Sequence, residues 1–140
     1  MSEIYNEGTT TNRLIENGVK NGYEWIILSI RGAHPCAYVL IDKNHKYYKK
    51  DFENDLEDIV HGGITFNEST LDNIVDEKEE KWIFGWDYAH KGDCTTIKLA
   101  PETMIFNTFT EQDWGNPNGK KYTTEEIKED INSFIEFLEL

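Results

Sequence analysis

Three of the four histidines in this chain stand beside glycine or proline: His34 in RGAHP, His61 in VHGG and His90 in YAHKGD. A neutral imidazole accepts a proton and an imidazolium donates one near pH 7. A pair of them can therefore act as base and acid on opposite sides of a phosphodiester. Asp87 and Asp93 flank His90, and a carboxylate commonly orients a histidine through its second ring nitrogen. These five residues form the expected catalytic set.

Around them stand the types that bind a small anion. Arg31 and Lys91 are cations suited to hold a phosphate and stabilise its developing charge. Gly62 and Gly63 let a ligand approach the backbone closely, Thr65 follows them, and Trp86 and Tyr88 are rings on which a base can stack. Each residue also has a plain structural use. A loop histidine can bond to backbone, an aspartate beside glycine makes an Asx-turn, and a glycine pair needs only a turn with positive φ. Trp82, Phe84 and Trp86 alternate, as residues covering one sheet face do. His61, Asp87, His90 and Asp93 are also the ligand types of a divalent-metal hydrolase, yet an H-x-x-D spacing is common. The expectation is a reaction without cofactor, with metal dependence as the lesser alternative. P-loop, GxSxG, HExxH and EF-hand patterns are absent.

Strand-end loops on a rigid scaffold are where such residues would be presented. YEWIILSIR and CAYVLID are rich in aromatic and β-branched residues and are broken by Gly32-Ala33-His34-Pro35, which predicts two neighbouring strands in a hairpin. Before them, residues 1–12 form a loose polar lead-in, and LIENGVKNG is expected as a short helix or turn. After them, KYYKKDFENDLEDIV favours helix for part of its length. Ile64-Thr65-Phe66, Lys81 to Trp86 and Thr103 to Phe106 are expected strands, and the acidic run 67–80 a solvated loop or short helix.

The C-terminal segment is the clearest. Thr123 with Glu126 three residues on matches a capping box, and Ile127, Ile131, Phe134, Ile135 and Leu138 fall at helical spacing on one face. Glu125, Glu126, Glu129, Asp130 and Glu136 occupy the rest, a solvent-facing surface. The expected fold class is α+β: a mostly antiparallel sheet packed against a C-terminal amphipathic helix, in a single domain over residues 1–140.

Composition narrows the function. A formal net charge of −13 argues against general DNA or RNA binding, which needs a basic face. No apolar run approaches a membrane span, and the polar start MSEIYNEGTTTN does not look like a signal peptide, so a cytoplasmic protein without membrane contact is expected. Cys36 and Cys94 form no CxxC or zinc-type spacing and are expected as reduced thiols. The composition leaves self-association into a homo-oligomer open.

GAHPCAYV, VHGGITF and FGWDYAHKGD, followed by the C-terminal helix, resemble a family of small bacteriophage proteins whose pattern runs GHP, VHGGLTF, GFDxAHxGD and a final helix. The resemblance covers roughly residues 22–140. It departs at Trp86, where phenylalanine is expected, at Tyr88, where a smaller residue is expected, and in the acidic middle. None of these touches the histidines or aspartates. The family is similar to one implicated in degrading the cyclic-nucleotide signals of bacterial antiphage immunity, which implies a small nucleotide ligand and places His34, His61, Asp87, His90 and Asp93 in its site. The resemblance does not say whether the signal is cut or held. The leading expectation is a phosphodiesterase acting on 3′3′-cyclic dinucleotides by histidine acid/base chemistry. The alternatives are a sponge that sequesters a cyclic-nucleotide or ADP-ribose-derived signal without chemistry, and an acidic protein that mimics nucleic acid.

Overall fold

The computed structural model describes residues 4–6, 9, 11–52, 55–90, 92–94 and 118–140. Among these residues five strands form one antiparallel sheet: β1 (Arg13–Lys20), β2 (Tyr23–Ile30), β3 (His34–Asp42), β4 (Phe66–Glu68) and β5 (Lys81–Asp87), in the order β1-β2-β3-β5-β4. Helix α1 (Thr124–Leu138) packs on one face. The α+β expectation therefore holds.

Strand β1 corrects the expectation of a helix or turn at LIENGVKNG. Lys20 pairs with Tyr23 across a two-residue loop in which Asn21 and Gly22 take φ of 54° and 84°. That is the pair of left-handed residues a type I′ hairpin requires, and Asn-Gly supplies it at least cost. β2 and β3 form the expected hairpin, closed between Ile30 and His34. The lead-in is less loose than its composition suggests. Ile4 is buried, Ser29 Oγ donates to its carbonyl at 2.6 Å, and Asn6 N–H donates to Gly32 O at 2.8 Å.

The segment after β3 is also corrected: its described residues form turns rather than helix. Lys49 and Leu56 take left-handed φ of 67°, which interrupts any helix, while Tyr47 and Phe52 turn inward against Phe137. β4 begins at Phe66, two residues later than expected, and Ile64 makes an isolated bridge with Asp55. The acidic run holds one 3₁₀ turn, Glu77–Glu79. The expected strand at Thr103 to Phe106 lies outside the described residues.

The pleat divides the sheet. Ile27, Ala37, Val39, Phe84 and Trp86 face α1, which buries Ile127, Ile131, Phe134, Ile135 and Leu138 against them. Each such side chain contributes about 1.5–3 kcal/mol of burial. The helix start is fixed as the spacing predicts: Thr123 Oγ1 accepts from Glu126 N–H at 3.2 Å and Glu126 Oε1 accepts from Thr123 N–H at 3.0 Å. On the other face Ile26, Leu28, Tyr38, Leu40 and Ile83 are covered by Leu71 and Val75. Both cysteines are buried and unbridged, and no helix among the described residues is long and apolar enough to cross a membrane.

Candidate functional site

β5 ends at Asp87, opposite Cys36 of β3, and Tyr88 N–H continues the ladder by donating to Pro35 O at 3.1 Å. The loops carrying His61 and His90 meet at this end of the sheet, on the helix side. Asp93 joins them. It is 3% exposed, and its Oδ2 lies 2.7 Å from His61 Nε2 and accepts the His90 backbone N–H at 2.9 Å. The two rings meet edge to face, with centroids 5.1 Å apart.

The turn that carries His90 explains this convergence. Asp93 N–H donates back to His90 O at 2.9 Å, so the 90–93 turn is closed by both backbone and carboxylate. The carboxylate thus serves the turn and the neighbouring histidine at once. Gly62 makes room for the ring: a Cβ there would lie 2.2 Å from His90 Cε1, and its φ is 76°. Only glycine satisfies both the conformation and the contact.

His90 faces two carboxylates. Its Nδ1 lies 3.6 Å from Asp93 Oδ2, too long for a hydrogen bond, and is buried with no hydrogen-bond partner among the described residues. Its Nε2 lies 3.7 Å from Asp87 Oδ1. Asp87 also makes the expected Asx-turn, accepting from Ala89 N–H at 3.2 Å, and Thr65 Oγ1 approaches its other oxygen at 3.5 Å. Thr65 therefore touches the site through Asp87.

His61 is held from below by an aromatic floor. Tyr88 stacks on it at 5.2 Å with planes 8° apart, and Tyr122 tilts against both rings at 5.0 and 4.7 Å. Tyr88 OH donates to Asp130 Oδ2 at 2.6 Å and accepts from Trp86 Nε1 at 3.0 Å, while His61 N–H reaches the same Asp130 oxygen at 3.4 Å. Burial, then the bond to Asp130, pushes the Tyr88 hydroxyl well above the ordinary phenol range. Burial, followed by the nearby Asp93, also raises Tyr122. Lys120 stands over the Tyr122 ring at 4.5 Å, and its hydrogen bond to Glu126 holds its proton more firmly.

The expected ligand-binding residues divide accordingly. Gly62 shapes the cluster directly, whereas Gly63, with φ of 81°, faces the Asp55 carbonyl. Trp86 and Tyr88, expected as stacking platforms, are 1% and 0% exposed, so their rings are walls of the core and cannot receive a base. Among the described residues no hydrogen bond, ion pair or ring contact joins His34 to the cluster: its Nδ1 lies 3.1 Å from Pro35 O and 3.9 Å from Cys36 Sγ. Arg31 is exposed in the β2–β3 turn, where its N–H donates to Asn12 Oδ1 at 3.0 Å. Lys91 lies outside the described residues. A groove of about 820 Å³ lies on the other side of the sheet, lined by Leu28, Tyr38, Phe66 and Leu71 among others, and shares no residue with the cluster.

Sequence reasoning missed Asp130, Tyr122 and Lys120. Asp130, expected on the solvent-facing helix surface, is half-buried behind His61. Its signal was present, since it stands three residues after Ile127 and four before Phe134, on the inward stripe. Nothing in the sequence pointed to Tyr122 and Lys120, which reach the site through an isolated bridge between Asp93 and Lys120. Comparison with protein-family models, curated proteins and solved structures finds no match for the chain.

Proposed function

We propose that this chain cleaves a phosphodiester bond of a small cyclic nucleotide at the cluster of His61, His90 and Asp93. The observation that carries the proposal is the convergence of two histidines on one buried carboxylate at a strand end. Two imidazoles with a carboxylate behind them supply proton transfer, whereas a site that only captures an anion is better built from arginine, lysine and backbone N–H groups. Asp87, Asp93 and Asp130 surround these rings, and the nearby Lys120 is engaged with Glu126 at 2.9 Å. That surround favours chemistry over passive sequestration.

The substrate class rests on the resemblance of GAHPCAYV, VHGGITF and FGWDYAHKGD to a family of small phage proteins, itself similar to one implicated in degrading cyclic-nucleotide immune signals, and on a net charge of −13 that disfavours polymeric nucleic acid. With it comes the proposed setting, antagonism of antiphage signalling in the host cytoplasm. In a 3′3′-cyclic dinucleotide a 2′-hydroxyl stands beside each scissile phosphate. The 2′-oxygen forms a bond to phosphorus, the bond from phosphorus to the 5′-oxygen breaks, the 2′ proton leaves to a base, and a proton is delivered to the 5′-oxygen. The product is a linear dinucleotide with a 2′,3′-cyclic phosphate and a free 5′-hydroxyl, equal in mass to the substrate, and no co-reactant is consumed.

His61 and His90 serve this reaction either bare, as the proton carriers, or by holding a cation that activates the attacking and leaving oxygens. Incubation with 3′3′-cyclic dinucleotides, with and without EDTA, followed by chromatography of the denatured mixture, tests the reaction and separates the two forms. Linear product supports the proposal, and quantitative recovery of intact ligand overturns it. Tight binding of intact ligand that survives His61→Ala and His90→Ala would point to a sponge working elsewhere on the molecule.

A further inference from the structure

The charges around His61 suit a cation better than a bare phosphate. Asp93 lies 2.7 Å from the His61 ring, Asp87 lies 3.7 Å from the His90 ring, and Asp130 meets the His61 backbone at 3.4 Å. Clustered charge of one sign concentrates the opposite ion. An ion of that kind would also supply the positive charge that the proposed reaction needs at its phosphate.

We propose that His61 Nε2, His90 Nδ1 and Asp93 Oδ2 bind one divalent transition-metal ion. One donor atom from each of the three residues lies within 4.8 Å of the other two. Ligand bonds of about 2.0–2.2 Å put neighbouring donors roughly 3 Å apart, and the cluster already holds separations of 2.7 and 3.6 Å. His90 Nδ1 points into this space while buried and without a hydrogen-bond partner among the described residues. A buried polar atom of that kind calls for a partner, and a metal ion is one.

On the far side of the His90 ring stands a carboxylate, not yet at hydrogen-bond distance. A ligating imidazole commonly gives its other N–H to a carboxylate, which fixes the ring and raises its basicity. Asp87 stands 3.7 Å from the far nitrogen of His90 and is itself fixed by Ala89 N–H. Tyr88 stacks flat on His61 and holds that ring in plane. Two imidazoles and one carboxylate suit zinc, manganese, cobalt or nickel better than magnesium or calcium. Three protein ligands leave positions open for a phosphate oxygen or water, as catalytic sites do.

The role of the ion in cleavage rests on the proposed function, but its binding does not. Tag-free protein stripped with EDTA is titrated calorimetrically with Zn²⁺, Mn²⁺ and Co²⁺, and the Co²⁺ complex is followed by its visible absorption. The expected result is one ion per chain, with affinity lowered about 100-fold or more by His90→Ala and about tenfold by Asp87→Asn. His45→Ala, a change at a histidine paired with Tyr23, leaves binding unchanged. Circular dichroism confirms that each variant is folded, and Asp87→Asn carries the test should His90→Ala unfold. Failure of all three ions to saturate the protein, or equal binding by wild type, His90→Ala and Asp87→Asn, overturns the site. Stoichiometric binding without cleavage of any cyclic dinucleotide keeps the site and overturns the reaction. Cleavage undiminished after EDTA stripping keeps the reaction and overturns the role given to the ion.

Discussion

The turn carrying His34 and the loops carrying His61 and His90 reach the same end of the sheet, and among the described residues only the second pair gains a carboxylate at hydrogen-bond distance. His34 is already part of β3, so the pleat decides where its ring goes. It shares a face with Cys36 and Tyr38, on the side covered by Leu71 and Val75. His61 lies in a turn before β4 and His90 in a turn after β5, and both come round to the helix side, where Tyr88 and Asp93 receive them. Strand parity therefore separates three histidines that share the same local sequence dress. A chemical cluster here is made by turns, while the strands supply its floor.

Changes that dissolve the cluster should cost most. Asp93→Ala removes the acceptor of the His90 N–H and the partner of His61. Hydrogen bonds to a charged group contribute about 1.5–3 kcal/mol each, so a loss of about 3 kcal/mol is expected in urea denaturation, together with loss of cleavage. Gly62→Ala comes next. Its left-handed φ of 76° costs about 1–2 kcal/mol for a residue with a Cβ, and the added carbon would collide with the His90 ring. Cation affinity should then fall at least tenfold by calorimetry as the ring is displaced.

Tyr88→Phe tests the floor without moving its ring. It leaves Trp86 Nε1 without its partner and Asp130 with the His61 N–H alone, a cost of about 1–2 kcal/mol, while stacking on His61 is kept. The same variant has a signature in alkali. The folded-state pKa of Tyr88 is raised by burial and by Asp130, so the unfolded chain loses this proton first. Stability from this group is complete below about pH 10, the unfolded value, and declines above it by up to about 1.4 kcal/mol per pH unit. Tyr88→Phe should flatten that decline when melts are compared between neutral pH and pH 11. At the bottom of the scale, His34→Ala should shift stability by no more than about 0.5 kcal/mol and leave cation binding unchanged. A large loss from His34→Ala would erase the distinction between the two regions.

The sequence exposed the parts of this structure that rest on local rules. The α1 boundary followed from Thr123 and Glu126, and its five buried residues from their spacing. The β2–β3 hairpin followed from aromatic and β-branched runs around Gly32. β1 was missed because Glu16, Asn17 and Gly18 dilute its alternation, although Asn21-Gly22 announced the hairpin. In the site, His61 and Asp93 were legible beside Gly62 and Gly92, and Asp87 and His90 because they share a short polar stretch with Asp93 directly behind a strand. Trp86 and Tyr88 were placed on the wrong side of the wall, since an aromatic residue near a motif looks the same whether it faces ligand or core. Tyr122 and Lys120 depend on a parallel bridge to Asp93 across 27 positions, and no local pattern encodes such a contact.

The central claim is that His61, His90 and Asp93 form one working centre, and cleavage of a 3′3′-cyclic dinucleotide by wild type and by His90→Ala tests it most directly. Wild type should yield a linear product of unchanged mass ending in a 2′,3′-cyclic phosphate, and folded His90→Ala should yield none. Equal product from both proteins, or intact ligand from wild type, would contradict the account.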